Sequence, residues 1–64
     1  MKAIKLLRES KRIKQSDMAV ELNVSQPTIA MWEIDDNFPP AKKLPEIAKF
    51  FNCTIDDLFK IGSE

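Results

Sequence analysis

Apolar residues recur along the chain at helical spacing, in five stretches separated by turn-forming residues. The clearest pattern is that of Leu44, Ile47, Ala48 and Phe51, which fall at i, i+3, i+4 and i+7 and form one apolar face. The chain is therefore expected to be all-α, without strands. The expected helices cover residues 2–11, 15–23, 26–33 and 44–51, and a fifth begins after position 54.

Asparagine and hydroxyl residues mark the expected helix boundaries. Asn23 and Asn52 are expected to end their helices in the left-handed conformation, which asparagine tolerates better than most residues. Ser25 and Thr54 are expected to act as N-caps of the helices that follow. Because only a very short turn separates the second and third helices, residues 15–33 are expected to form a helix-turn-helix.

This segment resembles the helix-turn-helix of the phage repressor and Cro family, also called the xenobiotic-response-element class of bacterial regulators. The matching residues of the motif are Gln15, Ala19, Val24, Ser25, Thr28, Ile29, Trp32 and Glu33. The resemblance continues at Arg8 and in residues 44–47 and 54–58, so it covers nearly the whole chain. It implies a compact five-helix, lambda-repressor-like DNA-binding domain, which is expected to occupy residues 1–64 as a single domain.

The resemblance implies that the third helix enters the major groove of DNA. On a helix that starts at Gln26, the side chains of Ile29 and Trp32 are expected to point inward. Gln26 is the only outward residue able to form the bidentate contact to adenine N6 and N7. The expected base-reading residues are Gln26, Pro27, Thr28, Ala30 and Met31.

Phosphate contacts are expected from residues beside the helix ends that face DNA. These residues are Lys14, Gln15, Ser16, Asn23, Ser25, Lys42 and Lys43. The resemblance also implies a buried or partly buried ion pair between Arg8 and Glu33, which joins the first helix to the third.

Two positions depart from the family pattern. Arg12 stands where the family usually has glycine, so either Arg12 adopts a left-handed conformation at a cost of about 1 kcal/mol or the connector differs. Lys14 stands where a serine or threonine N-cap is common, so the second helix is expected to begin with a weaker cap, unless Gln15 compensates.

The charge of the chain gives only weak support for nucleic-acid binding, because ten basic residues balance ten acidic ones and the pI is about 6.2. The distribution is uneven: residues 1–14 carry six basic residues and one acidic residue, whereas residues 15–41 carry five acidic residues and no basic one. Asp35 and Asp36 stand in a loop where relatives often carry basic residues that reach phosphates.

The composition argues against an enzyme, a metal site and a cofactor. The chain has no histidine and one cysteine, so Cys53 cannot form an intrachain disulfide and is expected to be a small core residue. No stretch approaches the roughly 18 apolar residues of a membrane span, and the charged N-terminus does not resemble a signal peptide. A cytoplasmic location is expected.

The expected function is sequence-specific binding of double-stranded DNA by a phage-repressor-like regulator, as a symmetric homodimer on a palindromic operator. The expected dimer edge consists of Leu58, Phe59 and Ile61. One alternative is a protein-binding adaptor that uses the acidic loop, Phe38 and Phe59. The other is an antitoxin that binds both DNA and protein. Phe38 is expected to pack against the core in preference to forming an exposed partner-binding surface.

Overall fold

The computed structural model describes residues 1–61, which contain five α-helices, a short 3-10 turn and no strand. The elements are α1 (Lys2–Ser10), α2 (Gln15–Leu22), α3 (Gln26–Glu33), the 3-10 turn (Ala41–Lys43), α4 (Leu44–Phe50) and α5 (Ile55–Lys60). The expected all-α fold, with a helix-turn-helix in α2 and α3, is confirmed. α1, α2 and α4 each end one residue earlier than expected, and the 3-10 turn was not predicted. Within the described residues no helix is long and apolar enough to cross a membrane.

One hydrophobic core lies among the five helices, and each helix supplies it with a fully enclosed side chain. These side chains, each at most 1% exposed, are Ile4, Met18, Ile29, Ile47 and Leu58. Burying an aliphatic side chain of this size stabilises a fold by about 1.5–3 kcal/mol. Because every helix contributes one, all five helices are needed to close the core.

Three of the helices end with the same left-handed residue motif, and none of them uses glycine. The φ angle is 57° at Arg12, 56° at Asn23 and 57° at Asn52. In each case the next residue donates its N–H to the carbonyl five residues back, which is the Schellman arrangement. The donor and acceptor pairs are Ile13 to Arg8 at 3.0 Å, Val24 to Ala19 at 3.0 Å and Cys53 to Ala48 at 2.9 Å. The two asparagine predictions are confirmed, and Arg12 takes the left-handed alternative.

Hydroxyl residues cap two helices at their N-termini, as predicted. Ser25 Oγ accepts a hydrogen bond from the Thr28 N–H at 3.3 Å. Thr54 Oγ1 accepts from the Asp57 N–H at 3.0 Å, and Asp57 Oδ2 accepts from the Thr54 N–H at 3.1 Å, so α5 begins with a complete capping box. No side chain caps α2, whose N-cap residue is Lys14.

Two predictions about the burial of apolar residues, Phe38 and Leu58, were wrong. Phe38 does not pack into the core: it is 61% exposed, and its ring stacks on that of Phe59 with 6.3 Å between centroids. The neighbouring Pro39 is buried in its place. Leu58 belongs to the core and not to an exposed edge. Cys53 is half-buried against the core, where burial raises the pKa of its thiol.

The left-handed Arg12 generates a stability prediction. Arg12→Gly is expected to raise the free energy of unfolding by about 0.5–1 kcal/mol, because glycine adopts positive φ without the clash of a Cβ atom. Lys5→Gly is the control, since the same change at an exposed position inside α1 is expected to lower the free energy of unfolding by about 1 kcal/mol. Urea denaturation measures both. A loss of stability in Arg12→Gly would contradict the prediction.

Candidate nucleic-acid interface

α3 exposes an uncharged face beside its N-terminus. Ile29 and Trp32 are buried, as their i, i+3 spacing predicted, and this orients the rest of the helix. Gln26, Pro27 and Met31 are exposed, Met31 by 59%. Thr28 and Ala30, the other two residues expected to read bases, are half-buried at the margin of this face.

The N-terminal ends of α2 and α3 lie next to each other. Gln26 Nε2 is 3.4 Å from Gln15 Oε1, so the first residues of the two helices are within hydrogen-bonding reach. Lys14 and Ser16, which flank Gln15, are exposed. Because no side chain caps α2, the N–H groups of its first turn can bind an anion. The arrangement can therefore present an amide and a helix N-terminus to the same ligand.

Behind this surface an ion pair joins α1 to α3. Arg8 Nε lies 2.5 Å from Glu33 Oε2, and Arg8 Nη2 lies 3.2 Å from Glu33 Oε1. The two side chains are only 13% and 6% exposed. Arg8 Nη1 also donates to the Ile13 carbonyl at 2.8 Å, and Gln15 Nε2 donates to Glu33 Oε1 at 2.9 Å. Gln15 therefore binds α3 and does not cap its own helix.

Both members of the pair are ionised at neutral pH. Burial alone would raise the pKa of Glu33, but the hydrogen bonds from Arg8 and Gln15, with the charges of Arg8 and Lys5, bring it below its ordinary value of 4.5. The hydrogen bond to Glu33 raises the pKa of Arg8. The Glu33 carboxylate therefore acts only as a hydrogen-bond acceptor.

The residues expected to contact phosphate divide into two groups. Five of them are exposed: Lys14, Ser16, Asn23, Ser25 and Lys42. Gln15 and Lys43 are half-buried and have partners within the chain. Lys43 Nζ donates to the Leu22 carbonyl at 3.1 Å and lies 3.5 Å from Glu46 Oε2. Since Leu22 is the last residue of α2, Lys43 neutralises the negative end of that helix.

The contacts that hold the C-terminal end of α3 were not predicted from the sequence. The α-amino group of Met1 donates to the Trp32 carbonyl at 2.6 Å, to the Ile34 carbonyl at 2.7 Å and to the Asn37 carbonyl. The Asn37 side chain donates to the Met31 carbonyl at 2.9 Å. A cation is favourable at the negative end of a helix. The Met1 amino group reaches the C-terminal end of α3 because α1 packs against α3, and no local sequence pattern predicts this packing.

A shallow groove of mixed polarity lies beside Phe38 and Phe59, on the α5 side of the domain. Its volume is about 220 Å³, and it is lined by Met1, Lys2, Ala3, Asp35, Phe38, Leu58, Phe59 and Ile61. We call the exposed rings of Phe38 and Phe59 the aromatic pair. Among residues 1–61 no group of histidine, cysteine, aspartate and glutamate side chains could hold a metal ion.

Fold and surface define a small helix-turn-helix domain, and comparison with known proteins agrees. A helix-turn-helix family model matches residues 4–58. Over 52 residues the chain is 40% identical to the HTH-type transcriptional activator BcrR of Enterococcus faecalis. That match covers 81% of this chain and 26% of BcrR, so the chain spans about a quarter of the length of this relative. The chain belongs to the helix-turn-helix family, and the resemblance to phage repressors and Cro is confirmed.

The geometry of Arg8 and Glu33 generates a prediction about stability. Arg8→Ala and Glu33→Ala are each expected to lower the free energy of unfolding by about 1–3 kcal/mol, because each leaves a largely buried charge without its partner. The double variant is expected to lose less than the sum of the two single losses. Urea denaturation of the four proteins measures this difference as a double-mutant cycle, and additive losses would show that the pair is not coupled.

Proposed function

We propose that this chain is a DNA-binding domain of a transcriptional regulator, and that it binds double-stranded DNA sequence-specifically with α3 in the major groove. The observation that carries the proposal is the convergence of the N-termini of α2 and α3, where Gln26 Nε2 lies 3.4 Å from Gln15 Oε1. The name of the relative, a transcriptional activator, supports a role in transcription.

The exposed face of α3 suits direct reading of base edges. An α-helix with its side chains is about 10–12 Å in diameter, so α3, with eight residues, fits a major groove that is about 12 Å wide. Gln26 can form two hydrogen bonds with adenine, while Pro27 and Met31 offer apolar surface for a thymine methyl. Thr28 and Ala30 contribute at the margin of the contact.

Backbone contacts are proposed from two groups of residues. Lys14, Gln15, Ser16 and the uncapped N-terminus of α2 form the first group, and a phosphate at that position would meet both a positive charge and free N–H groups of the helix. Asn23, Ser25 and Lys42, which are also exposed, form the second group. Lys43 is proposed to act through α2, because its ammonium group already binds the Leu22 carbonyl.

A symmetric dimer on a palindromic operator is also proposed, and the size of the chain supports it. The described residues measure 28 × 21 × 18 Å, whereas half-sites one turn of duplex apart are separated by about 34 Å. One copy therefore cannot place α3 in two successive major grooves, and one α3 contacts only a few base pairs. We place the aromatic pair and Ile61 in the dimer contact, since the two rings are exposed apolar surface next to a groove.

The aromatic pair also favours a second candidate function. A protein-binding adaptor or an antitoxin would use the same exposed rings, and the acidic residues Asp35 and Asp36 beside them, to contact another protein. DNA affinity that falls with salt separates the regulator from the adaptor, because counterion release accompanies the binding of DNA phosphates. An antitoxin, which binds both DNA and protein, would share this salt dependence.

Base and backbone contacts are expected to respond differently to substitution. Gln26→Ala should weaken binding to the best operator by about 1–3 kcal/mol and flatten the preference at one position per half-site. Lys14→Gln and Lys42→Gln should weaken all sequences alike, and each should reduce the slope of log affinity against log salt by about one. The measurement is a set of binding curves on a selected operator, its single-base variants and random duplex, at several salt concentrations.

Lys49→Gln is the matched control for the lysine variants. Lys49 is an exposed lysine in the last turn of α4, beside Phe50, and is expected to leave the salt slope unchanged. An unchanged base preference in Gln26→Ala would show that α3 does not read the bases. DNA binding that is absent in the wild type, or insensitive to salt, would support the adaptor.

The dimer is tested on the same operator. The wild type is expected to protect two half-sites cooperatively, and Phe38→Ser combined with Phe59→Ser is expected to abolish the cooperativity, because polar side chains remove the apolar contact. Both rings are more than half exposed, so the domain should still fold. Val20→Ser is the control, since Val20 is exposed on α2, beside Arg12 and Phe50. Protection of a single half-site by saturating wild-type protein would exclude the dimer.

A further inference from the structure

Four side chains form a continuous line from α1 to the face proposed to read DNA. Arg8 Nε lies 2.5 Å from Glu33 Oε2, Gln15 Nε2 lies 2.9 Å from Glu33 Oε1, and Gln26 Nε2 lies 3.4 Å from Gln15 Oε1. The first two of these side chains are nearly enclosed, and Gln26 is exposed. The line therefore connects a buried charge to the proposed base-reading amide.

Glu33 dictates which way round the Gln15 amide lies. An ionised carboxylate has no proton to donate, so the atom of Gln15 that meets Glu33 Oε1 must be the NH₂ nitrogen. Turning the amide over would place two acceptor oxygens against each other beside a side chain that is only 6% exposed, where water cannot separate them. The orientation is thus set by chemistry, and the Gln15 oxygen lies on the side of Gln26.

The orientation of Gln15 sets that of Gln26 in turn. Because Gln15 presents an oxygen, Gln26 must present its NH₂ group to Gln15. One N–H of Gln26 and its carbonyl oxygen then remain for a base. This donor and acceptor match adenine, which offers N7 as an acceptor and N6 as a donor. Guanine offers two acceptors, N7 and O6, and would place O6 against the Gln26 oxygen.

We infer that Glu33 is a positioning residue for base specificity, which orients Gln26 through Gln15 so that the domain prefers adenine to guanine at this position. The inference rests on the proposed function, because it assumes that α3 reads base edges. It adds that the specificity of an exposed glutamine is determined by a carboxylate that never touches DNA. A glutamine without this anchor could turn over and donate both N–H groups to guanine.

Two matched variants distinguish a positioning role of Glu33 from a role in the stability of the fold. Glu33→Gln and Arg8→Gln both remove the ion pair, but only Glu33→Gln replaces the acceptor with a group that can accept or donate. Gln15→Met removes the intermediate amide while keeping the length of the side chain. The quantity measured is the ratio of affinities for operators that carry adenine or guanine at the Gln26 position, under conditions where circular dichroism shows each variant to be folded.

Arg8→Gln is expected to keep the wild-type ratio within about twofold, because Glu33 still accepts from Gln15. Glu33→Gln and Gln15→Met are expected to reduce the ratio by about tenfold, the order of discrimination by one bidentate base contact. Equal ratios in Glu33→Gln and Arg8→Gln would overturn the inference. Gln26→Ala separates the failure of the proposed function from the failure of this inference. If the variant keeps the wild-type ratio of affinities, the proposed base reading by α3 fails. If the variant loses the preference for adenine, base reading stands and only the role of Glu33 is in question.

A measurement on the wild type covers the case in which Glu33→Gln does not fold. In NMR spectra recorded across the acid range, the side-chain amide resonances of Gln15 are expected to shift as Glu33 titrates, since Gln15 donates to that carboxylate. The Gln26 amide is expected to shift with the same midpoint. Gln15 resonances that do not follow the protonation of Glu33 would overturn the inference.

Discussion

The ion pair between Arg8 and Glu33 is the interaction on which the arrangement of the domain depends. Removing both charges from water carries a desolvation penalty, and the pair offsets it only when its remaining donors and acceptors are also satisfied. Ile13 and Gln15 supply these partners. As a result α1, the connector after it, α2 and α3 all meet at this ion pair, and a shift of α1 against α3 by one turn, about 5.4 Å, would break the bonds between Arg8 and Glu33.

The two ends of α2 are stabilised unequally by groups of the chain. Internal groups neutralise the C-terminal ends of α2 and α3, through Lys43 at Leu22 and the Met1 amino group at Trp32 and Ile34. The N-terminus of α2, in contrast, has no side-chain cap. In a chain of 64 residues, which buries only about 60% of its unfolded surface, an uncapped helix end lowers the stability measurably. A phosphate bound at that end would recover it, so DNA binding and the stability of α2 are coupled in the proposed complex.

Local chemistry was sufficient to predict most of the fold. The helices followed from apolar spacing, and the ends at Asn23 and Asn52 and the caps at Ser25 and Thr54 followed from the side chains themselves. Features that depend on tertiary packing were not predictable in this way. Phe38 was misplaced because an aromatic residue beside two prolines carries no local sign of which side chain turns inward, and here Pro39 does.

The candidate site, too, was predicted from the sequence only where its features do not depend on tertiary packing. Spacing along α3 predicted which residues are exposed, whereas the pairing of Arg8 with Glu33 was drawn from the family resemblance and not from any pattern in this chain. Lys43 was assigned to DNA because it falls beside a helix end that was expected to face DNA, yet its ammonium group binds the Leu22 carbonyl. The proposed interface is consequently less basic than the lysine count suggests, and α3 adds no positive charge, since Glu33 is its only charged residue. Non-specific affinity comes almost entirely from phosphate contacts. In the proposed complex, a chain with few phosphate contacts and zero formal net charge would rely on base contacts and on a second copy for its binding free energy, which makes the orientation of Gln26 matter more.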